Sequence, residues 1–336
     1  MPQTVNIAII GTGMAAEYSH GPAFAQVPGA VLWSVCSRKR DKAARFASKF
    51  SAASGTPAYD NLTKLLVDPA LDAVLIATPD AYHAGAAVLA AQAGKHVFCE
   101  KPLATSREEA ETMLDACVRN NVKLAVGYHH RFHAGHRIVS TMLRQRLIGE
   151  VRHMRVQWTY AAKNSANWRT QREYSRWWAL AGPGTHAIDM VRWWMGSEPD
   201  QVRALSSRPV WKGPHEETAS IALRFENGAT ADILCSTIFE SPRRIEVYGT
   251  EGSILCEDTL GPHGEGSIVA AGERLAWSVS NPYAEQLNDF VGSIVQRRDP
   301  EVSGEDGLRN LEIMIHAAGP PSEKREPKKT TRLNRA

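Results

Sequence analysis

The chain has 336 residues, 43% hydrophobic and 22% charged, an ordinary composition for one large or two smaller globular domains. The formal net charge is +3, but residues 322–336 alone carry six Lys/Arg against two Glu, so the remainder is nearly neutral and no basic surface for nucleic acid is expected. No run approaches the ~20 apolar residues that cross a bilayer, and Cys36, Cys99, Cys117, Cys235 and Cys256 have neither CxxC nor zinc spacing, so reduced thiols, a cytoplasmic location and no membrane partner are expected.

The chain opens into a short apolar run, VNIAII (5–10), without the basic and long apolar regions of an export signal. GTGMAA (11–16) follows at a strand-to-helix turn and fits G-x-G-x-x-A. Gly11 permits the tight turn, Gly13 lets the backbone approach a pyrophosphate, and Ala16 keeps helix and sheet close. Gly11, Thr12, Gly13, Met14 and Ala15 are therefore candidate dinucleotide contacts. The next strand, VLWSVC (31–36), runs into Ser37-Arg38-Lys39-Arg40 with no acid before Asp41. A carboxylate at this point would hold the ribose 2′-OH of NAD; the Ser37 hydroxyl and Arg38 guanidinium suit a 2′-phosphate, so NADP(H) is expected to be preferred, with NAD(H) as the alternative.

DKAARFASKF (41–50), DAVLIAT (72–78), a helix near 80–93, KHVFCE (95–100), SREEAETMLDACVRN (106–120) and VKLAVGY (122–128) continue the series. Near-continuous apolar strands, each followed by a helix, predict an α/β domain of Rossmann type over residues 1–126, a doubly wound parallel sheet covered on both faces. Ser106 with Glu109 three residues on reads as a capping box. Lys101 follows the fifth strand, at the carboxyl edge where such sheets bind ligands, and Pro102 restrains it to an extended backbone. A lysine beside a redox centre can exchange a proton with a carbonyl oxygen.

After a helix near 135–147 the rhythm changes. EVRHMRVQWTY (150–160), QVRALSSRPV (201–210), TASIALRF (218–225), ATADILCS (229–236) and RRIEVYGT (243–250) alternate apolar and polar residues, with Glu226-Asn227-Gly228 as a hairpin turn. Helices follow near 283–297 and 304–317, stopped by Gly319-Pro320-Pro321. This predicts a second, α+β domain over residues 127–320 with a mostly antiparallel sheet, and a basic, disordered tail over 321–336. His129, His130, His133 and His136 bridge a strand end and a helix start rather than share one helix, so no metal is expected there.

The set GTGMAA, ATPDAYH (77–83), AGKHVFCEKPLA (93–104), GYHHRF (127–132), IGEV (148–151) and VYGTEGS (247–253) resembles the Gfo/Idh/MocA oxidoreductases, a family of sugar and cyclitol dehydrogenases, along nearly the whole chain to about residue 318. The resemblance implies an open-faced second sheet that assembles a homo-oligomer, a dimer or tetramer. It implies that Thr78, Pro79 and His83 lie beside the cofactor ribose and that Glu100 and Lys101 are the family's EKP pair, with Lys101 as proton donor. It places His129 near the nicotinamide, Arg169 and Trp168 at the cofactor or substrate, and Tyr283 as an aromatic closing over the site.

The family's segment GG…D-x-x-x-H-x-x-D matches at His186 and Asp189, but Gly182 stands where the first Asp belongs and Trp177-Trp178 where the glycine pair belongs. His186 is then a candidate proton relay with an ordinary pKa near 6.5. Its partner is Asp189, a backbone carbonyl or the substrate. Trp177 and Trp178 are expected, with Trp168 and Tyr160, to offer flat faces to a sugar or aromatic substrate. Arg131 holds the loop or a polar substrate group. Trp193-Trp194 is assigned to packing.

Together these features predict an NAD(P)-dependent oxidoreductase moving a hydride between nicotinamide and a secondary alcohol or ketone of a small-molecule sugar, cyclitol or related substrate. Two alternatives stay open: a dinucleotide-binding sensor or subunit without chemistry, and an enzyme using transient NAD(P) redox for elimination or hydrolysis. Turnover on a carbohydrate panel separates the first; a nicotinamide absorbance change without net cofactor consumption identifies the second.

Overall fold

A computed structural model describes residues 4–163, 167–211 and 213–319. The first sheet consists of β1 (Val5–Ile10), β2 (Ala30–Cys36), β3 (Ala58–Tyr59), β4 (Ala73–Ile76), β5 (His96–Cys99) and β6 (Leu124–Val126). Its order is β3-β2-β1-β4-β5-β6 and every pairing is parallel. Helices α1 (Gly21–Phe24), α2 (Arg40–Lys49), α3 (Leu62–Leu66), α4 (His83–Gln92) and α5 (Arg107–Arg119) connect and cover it. Ile7, Ala8, Ile9, Val74 and Leu75 are fully buried, which is why these strands read as unbroken apolar runs. Strand order reverses beside β1, so a ligand crevice opens at the carboxyl ends of β1 and β4. Ser106 caps α5 by accepting from the Glu109 amide, but the Glu109 carboxylate accepts from the Thr105 amide and hydroxyl instead of closing a full capping box.

Helix α6 (Ala134–Arg144) leads into β7 (Val151–Thr159), and α7 (Thr185–Met195) follows. Then come β8 (Pro199–Ser207), β9 (Thr218–Phe225), β10 (Thr230–Ser236), β11 (Arg244–Gly249), β12 (Ser253–Glu257), β13 (Ser267–Ala270) and β14 (Glu273–Arg274). The second sheet has the order β14-β13-β12-β11-β7-β10-β9-β8 and is antiparallel except for the β7–β10 pair. Its strands alternate in burial, most regularly along β9. The buried face holds Met154, Val156, Ile221, Leu223 and Ile233 in one core with Ile188, Val191 and Trp194 of α7. The other face is open.

Helices α8 (Pro282–Val295) and α9 (Gly304–Ala318) end the described chain. They change the expected domain division. Ala284, Leu287, Phe290 and Val291 of α8 share the core of the first sheet, with the Phe290 ring edge-on to Phe98 at 5.6 Å. The Val126 amide also donates to Val302. A boundary at residue 126 separates the two sheets but not the packing, because α8 returns to the first one. The expected tail lies outside the described residues.

Candidate active site

The glycine loop follows β1 directly. Gly11 has φ +103°, and a Cβ there would lie 2.4 Å from the Ala77 carbonyl oxygen, so only glycine fits. A Cβ on Gly13 would meet nothing within 4 Å; it faces open space, as a phosphate approach requires. Thr12 and Ser37 bring their hydroxyls to 3.2 Å and tie the loop to the end of β2. From here a cleft of about 1180 Å³ runs along the carboxyl edge to the second sheet. That exceeds the roughly 300–1,000 Å³ of a site for one small ligand and accommodates a dinucleotide with a small substrate. Gly11, Thr12, Gly13, Met14, Ala15, Ser37 and Arg38 line one end, and Thr78 and Pro79 the middle. Lys39, from the same basic stretch, joins them, as do Lys42 and Asp60, which no motif singled out.

Lys101 stands where β5 meets the second sheet. Its ammonium donates to the carbonyls of Ala181 and Gly182 at 3.2 and 3.4 Å. Burial, and then the neighbouring Arg169 charge, lower its pKa to about 8 against the opposing pull of Glu100 and Asp80. Glu100 accepts from the Lys101 amide at 3.1 Å and meets the His20 Nε2 at 2.7 Å. Burial alone would raise its pKa, but His20, Lys101 and His129 hold it at about 2. Arg169 donates to Asp80 at 3.1 Å, and Ser175 donates to the other Asp80 oxygen at 2.7 Å. The Arg169 guanidinium also lies over the Trp168 ring.

The end of the cleft beside the second sheet is aromatic. Trp158, Tyr160, Trp168, Tyr174 and Tyr283 line it with His129, Pro183 and His186. Tyr283 stacks on His129 with ring centroids 4.4 Å apart. Neither Trp158 nor Tyr174 was expected at the cleft from the sequence. Trp158 sits in an alternating strand where its facing depends on register, and Tyr174 lies in an irregular segment.

His186 enters α7 from a π-helical turn, Leu180–Gly184. Glu216 fixes that turn by accepting from the Trp178 and Leu180 amides at 3.0 and 2.8 Å. Among the described residues the Nδ1 of His186 has no hydrogen-bond partner. Its ring is walled by Tyr128, His129, His130 and Trp158. Burial therefore holds its pKa well below the ordinary value, with the charges of Lys101 and Arg169 acting in the same direction. The expectation of an ordinary value near 6.5 does not allow for this burial, which favours the neutral ring.

Five expected contacts lie off the cleft wall. Asp189, 1% exposed, does not face His186; it accepts from Arg131 at 2.9 and 2.6 Å and from Asn310 at 2.8 Å. Arg131 also donates to Asp306 at 2.9 Å, so its guanidinium is consumed inside the fold. Trp177 and Trp178, each 1% exposed, are core residues and are not among the side chains that line the cleft. His83 is buried between the carbonyls of Pro102 and Thr78, at 2.9 and 3.0 Å, and positions both loops without lining the cleft.

Residues 5–128 match the model of an oxidoreductase family with an NAD-binding Rossmann fold, and residues 136–255 match the GFO/IDH/MocA C-terminal domain. The chain is 27% identical to the myo-inositol 2-dehydrogenase of Thermotoga maritima, over 96% of this chain and 98% of that one. It is 32% identical to an oxidoreductase of Formosa agariphila, over 68% of this chain and 71% of that one. The solved aldose-aldose oxidoreductase of Caulobacter crescentus, complexed with glycerol, aligns with a TM-score of 0.88 at 27% identity, covering 94% of this chain and 98% of the other.

Proposed function

Since the chain belongs to the Gfo/Idh/MocA oxidoreductase family, we propose that it interconverts a secondary alcohol and a ketone on a sugar, cyclitol or related compound, with Lys101 exchanging the proton of the substrate oxygen. The observation that carries this reading is the Lys101 amine in the cleft, with a pKa lowered to about 8. A general acid–base group works best when its pKa lies near the operating pH. The glycine loop, Ser37 and Arg38 would hold NADP(H), whose nicotinamide accepts or supplies a hydride at the substrate carbon. In oxidation the neutral Lys101 amine takes the hydroxyl proton; in reduction the ammonium returns it. His186 and His129, held neutral by burial, orient the substrate through hydrogen bonds. Trp158, Tyr160 and Trp168 offer flat faces to the C–H faces of a sugar ring. Five buried free cysteines support a reducing, cytoplasmic setting.

The test is turnover on a panel of aldoses, inositols and anhydrosugars with either cofactor. Growth of the reduced-nicotinamide absorbance with at least one polyol is expected. Tight cofactor binding with no turnover on any member would favour a binding protein instead.

We infer a preference for NADP(H) from Ser37, Arg38, Lys39 and Lys42, which outnumber the one carboxylate, Asp60, at that end. Arg38→Ala should weaken NADP(H) binding by roughly tenfold or more, the worth of a charge-assisted hydrogen bond, and leave NAD(H) nearly unchanged. Fluorescence titration of both cofactors checks this; equal losses would refute it. Association through the open face of the second sheet, where Leu205 is 82% exposed, is read out by sedimentation velocity.

Gly182 supplies a further prediction. A Cβ there would meet only the Tyr160 hydroxyl, at 3.7 Å, so the backbone at Gly182 leaves room for the first atom of an Asp side chain. Its carboxylate would stand beside Lys101, favour the ammonium and raise that pKa by roughly one unit. The pH at which the oxidation rate rises should move up by the same amount. An unshifted profile in a correctly folded variant would contradict this placement of Lys101.

A further inference from the structure

We propose that His129, His130 and His186 form a three-histidine site for one divalent transition-metal ion of the zinc class, open toward the substrate end of the cleft. A 3-10 turn at His129–Phe132, just beyond β6, contributes two rings, and the start of α7 contributes the third. One nitrogen from each ring lies within 4.8 Å of the other two. Tetrahedral zinc with Zn–N bonds of 2.0–2.1 Å sets its nitrogens about 3.3 Å apart, so ring rotations closing the group by at most about 1.5 Å complete the geometry.

The second, independent observation is the state of these rings. All three are buried. Neither ring nitrogen of His130 has a hydrogen-bond partner among the described residues, nor has Nδ1 of His186. A buried imidazole left wholly unpartnered costs free energy, and a packed core normally avoids it. A metal ion satisfies one lone pair on each ring at once. Imidazole suits zinc, copper, nickel and iron alike, while a three-histidine set with an open fourth position is a known catalytic zinc arrangement. His129 and His186 line the cleft whereas His130 lies behind them, so the fourth position faces the cleft. Lys101 and Arg169, with Glu100 and Asp80, line the same cleft; at His186 the two cations act, so the ion binds against them through its three nitrogens. The site does not depend on the reaction proposed above, because binding alone reveals it.

The experiment is metal titration of the full chain after stripping with a chelator. Co²⁺ and Zn²⁺ are added separately, with metal content read by mass spectrometry and Co²⁺ geometry by visible absorption. One ion per chain and the intense bands of four-coordinate Co²⁺ are expected. His130→Gln and His186→Gln should each weaken binding at least roughly tenfold, since losing a direct ligand outweighs losing its outer support. The distant, half-exposed His153→Gln should leave binding unchanged, and circular dichroism checks that each variant is folded. No stoichiometric ion in the unmodified chain would overturn the proposal and leave three neutral rings packed against one another. Equal Co²⁺ binding by a folded His130→Gln would overturn it too, placing the ion elsewhere.

Discussion

Lys101→Met is expected to lower kcat/KM by about 10²–10⁴-fold, the usual worth of a positioned proton donor or acceptor, and to leave cofactor affinity nearly unchanged. Methionine keeps the length and apolar stem of lysine and removes only the amine. That amine makes two long hydrogen bonds, to the carbonyls of Ala181 and Gly182, and the nearby Glu100 and Asp80 keep His20 and Arg169 as partners, so the fold should persist. The Gly11–Ala15 loop and the end of β2 form the opposite end of the cleft, which separates cofactor binding from the proton step. Steady-state kinetics with a parallel cofactor titration checks both halves. Near-full activity in Lys101→Met would remove Lys101 from the reaction.

Asp189→Ala should cost about 3–5 kcal/mol of stability, the penalty for stranding one partner of a buried ion pair, with no selective rise in KM. Asp189 accepts three hydrogen bonds, two from Arg131 and one from Asn310 of α9. The pair therefore joins the His129–Phe132 turn, α7 and α9. Removing the carboxylate leaves the buried Arg131 with Asp306 alone, which places the loss at the lower end of that range. Urea denaturation measures it. Unchanged stability with a raised KM would return Asp189 to the substrate.

What was legible in the sequence follows from how far apart the interacting residues lie. The glycine loop, the parallel strands and the position of Lys101 are set by contacts within one strand–turn–helix unit, and periodicity carries them. Alternation likewise carried β9 and β10, since one face of that sheet is bare. The ties of Asp189 to Arg131 and Asn310, the return of α8 to the first sheet and the meeting of His130 with His186 join distant segments. No local pattern encodes them. Trp177 and Trp178 misled because the family's glycine positions suggested a cleft wall, whereas both indoles are buried in the core. Gly182 was legible as a missing carboxylate, but only the structure reveals that nothing replaces it: among the described residues, the ring of His186 is surrounded by aromatic and imidazole rings without a carboxylate bonded to it.

The proton step is tested most directly by the pH dependence of kcat/KM in the oxidation direction, compared between the unmodified chain and Lys101→Met. Oxidation needs the neutral amine, and burial brings that form within reach by lowering the Lys101 pKa from 10.5 to about 8. The rate should therefore rise through an inflection near 8 and level off above it. His129, His130 and His186 are already neutral there and add no inflection of their own. Loss of the inflection in Lys101→Met, together with most of the activity, is the predicted result. The same inflection at the same pH in Lys101→Met would contradict the assignment, because another group would then be taking the proton.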